Sequence, residues 1–142
     1  MSQKPSDEIK EQKDRVKETK KLKDEAVEAK NEAMKALKKV DQELYAEDRK
    51  PPAKKAVREA QDSGEAAEKA NNISEEAQEI ADNSGEENSD ELHDLAEEAT
   101  NAADEAGQAA DIAEVAAKVA KRKAELTPEE EAAALEGDPD TW

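Results

Sequence analysis

The sequence predicts an all-α protein: an elongated up-down-up three-helix bundle, in effect an antiparallel alanine-rich coiled coil, with a short fourth helix and a C-terminal tail. Three observations carry this. From Leu92 to Leu126 the chain divides into consecutive heptads, LHDLAEE, ATNAADE, AGQAADI, AEVAAKV and AKRKAEL. Their first positions are Leu92, Ala99, Ala106, Ala113 and Ala120; their fifth are Ala96, Ala103, Ala110, Ala117 and Ala124. The fourth positions, Leu95, Ala102, Ala109 and Ala116, lapse to Lys123. A seven-residue period held this long keeps one seam of a helix against its neighbours. Second, Ala, Glu, Lys, Leu and Arg supply 83 of the 142 residues, above the half or so that marks long-helix sequences. Third, Pro51-Pro52, Asn83-Ser84-Gly85 and Thr127-Pro128 punctuate the chain at helix-length intervals.

Composition alone pulls the other way. Leu, Ile and Val total only 17, Phe is absent and the net charge is −17, values that fall in the range of disordered chains. The period decides for a folded bundle, because an unstructured polar chain has no reason to return alanine every seventh residue. Its core must be thin, since alanine buries little area, but alanine has the best helix propensity and loses no side-chain entropy.

Residues 1–5 read as a flexible N-terminus, residues 6–126 as one helical domain with helices at about 6–49, 53–83 and 90–126, and residues 127–142 as a short helix plus acidic tail. Helix 1 opens on Ser6-Asp7-Glu8, with acids at the positive end of its dipole. Its first heptad positions are Ile9, Val16, Lys23, Lys30, Leu37 and Leu44; its fourth are Gln12, Thr19, Ala26, Ala33 and Val40. The seam is good from Ala26 to Leu44 and poor before Lys23, so the first turns are expected to project into solvent or to await a partner. Pro51-Pro52 should end this helix near Arg49. Helix 2 restarts near Ala53 with Ala56, Ser63, Ala70 and Ala77 in one column and Ala60, Ala67, Ser74 and Ala81 in another. Gly64 costs about 1 kcal/mol there relative to alanine, bearable if a neighbour packs close. Gly85 is expected to cap this helix in the left-handed conformation, and Ser89 or Asp90 to cap helix 3. Thr127-Pro128-Glu129-Glu130 starts the fourth helix, which Gly137 stops.

Charge supports this topology. Residues 1–58 carry 17 basic and 13 acidic side chains, while residues 59–142 carry 5 and 26. If helices 1 and 3 run parallel, the basic start of helix 1 (Lys20 among others) lies beside Glu97 and Glu98. Its acidic close (Asp41, Glu43) then lies beside Lys118, Lys121, Arg122 and Lys123.

No residue set points to catalysis, and no catalytic, cofactor-binding or metal residues are expected. There is no cysteine, the four glycines are isolated, and carboxylates lack the apolar surroundings that raise a pKa for acid catalysis. His93 is the single histidine; half a di-metal motif needs a second one, so it reads as a solvated helix-start side chain. The loop Asp82–Asp90 fails as a calcium loop, with Glu87 where glycine is required and His93 where glutamate is required. The lysines of helix 1 are interleaved with acids and lack aromatics, which argues against nucleic acid and membrane surfaces. Without a hydrophobic leader the default expectation is a soluble cytoplasmic protein, and the sequon at Asn72 is read as chance.

The functional expectation is therefore a non-enzymatic structural or protein–protein interaction module. It would bind a protein partner, or itself, through the under-filled seam of helix 1 or a face carrying Ile112, Val115 and Val119. One alternative is an acidic decoy that imitates a phosphate backbone, with Glu97, Asp104 and Asp111 in a heptad column. Another is a hydrophilic, partly disordered protectant. In hydrophilicity, Lys/Glu/Ala bias and absent cysteine the chain resembles late-embryogenesis-abundant proteins, though it departs from their eleven-residue period; alanine-rich coiled-coil rods are a nearer likeness.

Overall fold

Helix propensity and heptad spacing are realised over almost the whole chain. The computed structural model describes residues 5–85 and 88–125, which form three helices: α1 (Pro5–Gln42), α2 (Ala46–Asp82) and α3 (Ser89–Glu125). No strand occurs among the described residues. At 38, 37 and 37 residues the helices are matched in length, each about 55 Å long at 1.5 Å per residue. Each packs against the other two.

Cross-helix contacts fix the directions. Gln12 bonds to Leu92, and Lys20 pairs with Glu98, Lys23 with Glu105 and Asp41 with Lys123, so α1 and α3 advance together. Between α1 and α2 the order reverses: Gln12 meets Ala77, Arg15 meets Glu76, Ala26 meets Ser63 and Glu32 meets Lys55. Two of the α1–α3 ion pairs, Lys20–Glu98 and Asp41–Lys123, join the very charge blocks that the sequence set opposite each other.

The alanine seam is where the heptads put it. Leu92, Ala99, Ala106, Ala113 and Ala120 have no exposed surface, and Ala96, Ala103, Ala117 and Ala124 are buried with them. Ala110 is only half-buried, at the edge of the cluster formed by Leu22, Ala26, Ala66, Ala67, Ala70, Ala103, Ala106 and Ala109. On α2 the inward positions Arg49, Ala53, Ala56, Ala60, Ser63, Ala67, Ala70, Ser74, Ala77 and Ala81 alternate in steps of four and three without a break.

The start of α1 corrects the expectation of an under-filled seam. Gln12 and Thr19 have no exposed surface, and Val16 is buried between them. The Gln12 amide donates to the Ala77 carbonyl at 2.8 Å and the Leu92 carbonyl at 3.2 Å, tying all three helices at this end. Thr19 donates to the Val16 carbonyl at 2.8 Å, and Ser63 to the Ala26 carbonyl at 2.8 Å. Buried polar side chains are tolerated because each finds an acceptor; among the described residues none is left without a partner. The first turns of α1 thus pack instead of awaiting a partner.

The turn between α1 and α2 is a second correction. Helix 1 does not run to Arg49; it ends at Gln42, and α2 begins at Ala46 with Pro51 and Pro52 inside it. Two prolines in one turn deprive the Glu47 and Asp48 carbonyls of N–H donors. Both residues are exposed, so water can take those places. What holds the turn helical is the seam, which extends through Ala53 back to Arg49. Leu44, a seam position in the heptad frame, falls in the turn and is 83% exposed.

Glycine roles also differ from expectation. A Cβ on Gly64 would meet nothing within 4 Å, so no close approach of a neighbour offsets its helix cost. No described glycine has positive φ. α2 ends instead through Asn83 at φ −93° and ψ 1°, with the Ser84 hydroxyl donating to the Ala81 carbonyl at 2.7 Å. α3 opens at Ser89, where the Leu92 N–H donates to the Asn88 carbonyl at 2.9 Å. The expected fourth helix and tail at 127–142 lie outside the described residues.

Candidate docking surface

The flank between α1 and α3 is built on the period of both helices. The half-buried positions beside the buried seams hold apolar side chains such as Val27, Val57, Ile73 and Leu95 as well as the stems of charged ones such as Lys23 and Glu32. Lys20–Glu98 at 3.7 Å and Lys23–Glu105 at 3.5 Å close this flank toward the α1 start, and Asp41–Lys123 closes it near the α1 end. Among the described residues, no ion pair joins α1 to α3 between Lys23 and Asp41. Met34, Leu37, Ile112, Val115 and Val119 stand there instead, lining with Asp111 and Ala116 a shallow groove of about 370 Å³. Met34 is 49%, Ile112 47% and Val115 60% exposed, which leaves large apolar surface in water in a chain that has few large apolar residues.

The sequence had already placed Ile112, Val115 and Val119 on one face of α3. It did not bring Met34 and Leu37 to that face, because only the parallel pairing of α1 with α3 sets them alongside. The outer stripe of α3 continues through the same region: Asp104, Gln108, Asp111, Val115, Lys118 and Arg122 are all exposed. Steps of four and three put these six on one side of the helix. The stripe is acidic before Val115 and basic after it.

The flank between α1 and α2 is different in kind. Its groove, about 510 Å³, is lined by Glu25, Glu28, Glu32, Glu59, Asp62 and Glu65 with Lys55 and Lys69 between them. Lys55 and Lys35 hold the Glu32 carboxyl below its usual pKa, through hydrogen bonds first and Coulomb attraction second. Glu32 is paired with Lys55 at 3.3 Å inside the groove, whose lining of six carboxylates and two lysines is net negative.

Arg49 is the functional-looking residue that sequence reading passed over. Buried at the end of the bundle, it donates from Nε to the Glu43 carbonyl at 2.9 Å and from Nη1 to the Lys123 carbonyl at 3.4 Å. A cation there meets the negative dipole ends of α1 and α3, which makes it a structural clamp. Its seam-like spacing from Ala53 and Ala56 was the available signal, hidden by the two prolines.

His93 joins the end of α2 to the first turn of α3. Its Nε2 lies 3.2 Å from the Asp82 carboxylate and its Nδ1 2.7 Å from the Ser89 carbonyl. Both partners accept, so only the doubly protonated ring donates to both. The Ser89 carbonyl first, then Asp82, raise the His93 pKa above its usual value. The stabilisation is therefore fully present below the ordinary histidine value of about 6.5 and is lost as pH rises through the raised one. Thermal midpoints of the wild type should fall relative to His93→Gln as pH climbs through this near-neutral window. A constant difference between the two across that window would contradict the linkage. The ring is part-exposed and has no other His beside it; among the described residues no group of three or more His, Cys, Asp or Glu is placed to hold a metal. Also among the described residues, no helix is long and apolar enough to cross a membrane.

The Lys cluster of α1 does not form one surface. Lys20 and Lys23 turn to α3 carboxylates, while Lys10, Lys13, Lys17 and Lys21 are exposed among acids. Among the described residues, apolar openings flank α3 on both sides. The one toward α1 is closed at either end by ion pairs and edged by a stripe whose charge changes sign at its centre. The other, of about 520 Å³ toward α2, is lined by Val57, Ala60, Ala110 and Ala117 beside Lys118 and Lys121. No protein family, characterised protein or solved structure matches the chain.

Proposed function

We propose that the protein is a non-enzymatic helical interaction module, an alanine-seamed coiled-coil bundle that docks another polypeptide on the opening between α1 and α3. The observation that carries this reading is the exposure of Met34, Ile112 and Val115 side by side, where the neighbouring turns use ion pairs. Covering aliphatic surface yields roughly 25 cal/mol per Å², and a partner helix with its own apolar stripe fits a groove of this shape. The acidic-decoy reading has less support. The column Glu97, Asp104, Asp111 continues into Lys118, so its acidic run ends at mid-helix.

The two readings separate by salt and by site. Partners captured on the immobilised full chain are washed at about 1 M salt, where the screening length is about 3 Å. The docking reading expects a retained partner that Val115→Asp loses and that the triple change Glu97→Gln, Asp104→Asn, Asp111→Asn leaves in place. Elution of everything except nucleic-acid-binding proteins at low salt, with no effect of Val115→Asp, would move the conclusion to the decoy.

A further inference from the structure

We propose that the occupant of this opening is a second copy of the same chain, its α3 lying antiparallel to the first across a two-fold axis at Val115. The proposal rests on the docking reading above and names its partner. A two-fold interface presents one surface to itself, so every residue must find its complement on the same stripe read in reverse. The outer face of α3 meets that condition. With Val115 against the second copy's Val115, Ile112 faces Val119, Asp111 faces Lys118 and Gln108 faces Arg122, and each contact occurs twice. Asp104, one turn further out, comes within reach of the second copy's Arg122. All of these stripe residues except Val119, which is half-buried, are exposed in the single chain.

Direction follows from charge. A parallel arrangement would set Lys118 on Lys118 and Asp111 on Asp111, a like-charge contact at both ends. The antiparallel one lays the acidic half of each stripe on the basic half of the other, which also offsets the repulsion between two chains of net charge −17. A foreign helix would have no need of a stripe that is complementary to itself about its own midpoint. Met34 and Leu37 widen the contact from α1. The area offered by about four turns of one helix is below the roughly 800 Å² per partner of a tight complex. The dimer is accordingly weak and in exchange with monomer.

Sedimentation of the purified full chain over a range of concentrations tests this, with circular dichroism to show that each variant keeps its helices. The wild type should sediment as a concentration-dependent dimer, and Val115→Asp as a monomer. Lys118→Glu alone and Asp111→Lys alone should each weaken the dimer at least about tenfold. Mixing these two variants should restore it, because unlike charges then face each other in every pair. A wild type that stays monomeric at all concentrations overturns the proposal; if its partner capture still depends on Val115, the docking reading survives without the second copy. No weakening by Lys118→Glu, with a mixture of Lys118→Glu and wild type dimerising more tightly than either alone, overturns the antiparallel register in favour of the parallel one. A dimer that responds to the charge changes, with capture indifferent to Val115→Asp, upholds the second copy and removes the docking of other partners.

Discussion

Replacing Ala106 by leucine is expected to destabilise the protein by about 1 to 3 kcal/mol, the range for overpacking a filled core. Ala106 has no exposed surface and lies in the cluster that joins α1, α2 and α3 through Leu22, Ala26, Ala66, Ala67 and Ala70. Three backbones converge there on methyl-sized side chains. A leucine would have to force at least one helix outward, and in matched helices of this length a local displacement is carried along the seam. Ala110→Leu is the control. Its site is half-buried at the edge of the same cluster, so an added side chain can turn toward solvent and the loss should be smaller. Urea midpoints at unchanged slope measure both. Equal midpoints for the two variants would show that the seam is not close-packed.

Arg49→Ala should cost about 2 to 3 kcal/mol, the upper part of the range for hydrogen bonds made by a charged donor. The guanidinium satisfies carbonyls at the ends of two helices at once, Glu43 after α1 and Lys123 in the last turn of α3. Without it those carbonyls compete for water at a closed end of the bundle, and the dipole ends of α1 and α3 lose their shared cation. The turn that contains Pro51 and Pro52 also loses its anchor, since two of its backbone donors are missing. Hydrogen exchange should therefore accelerate first in residues 39–49 and 118–125, before global unfolding. Arg49→Lys keeps the charge but has no planar fork to reach both carbonyls, and should recover only part of the loss. A change below about 0.5 kcal/mol for Arg49→Ala, within the range of ordinary surface substitutions, would show that the clamp contributes nothing.

The candidate surface was half legible. Ile112, Val115 and Val119 recur at three and four residues on α3, a period visible in the chain itself. Met34 and Leu37 carry no such link to them, because residues about 80 positions apart become neighbours only when two helices choose the same direction. The charge blocks did foretell that choice: opposite signs had to meet for α1 and α3 to lie together, and Lys20–Glu98 and Asp41–Lys123 do meet. His93 was read as solvated; its tie to Asp82 spans the interhelical connection, whose path no local pattern specifies.

By itself the sequence determined three helices, their alanine seam, their directions and the thinness of the core, because the period of seven and the sign of charge are local and additive. Only the tertiary structure decided where α1 ends, that Pro51 and Pro52 stay helical, and that Gln12 and Thr19 are core. In each case a local preference was overruled by partners distant in the chain. The seam runs through the prolines to Arg49, whose bonds reach Glu43 and Lys123, and Gln12 enters the core because Ala77 and Leu92 offer it carbonyls. Propensity ranks conformations one residue at a time; burial and hydrogen bonding across three helices are collective, and here they are the larger effect.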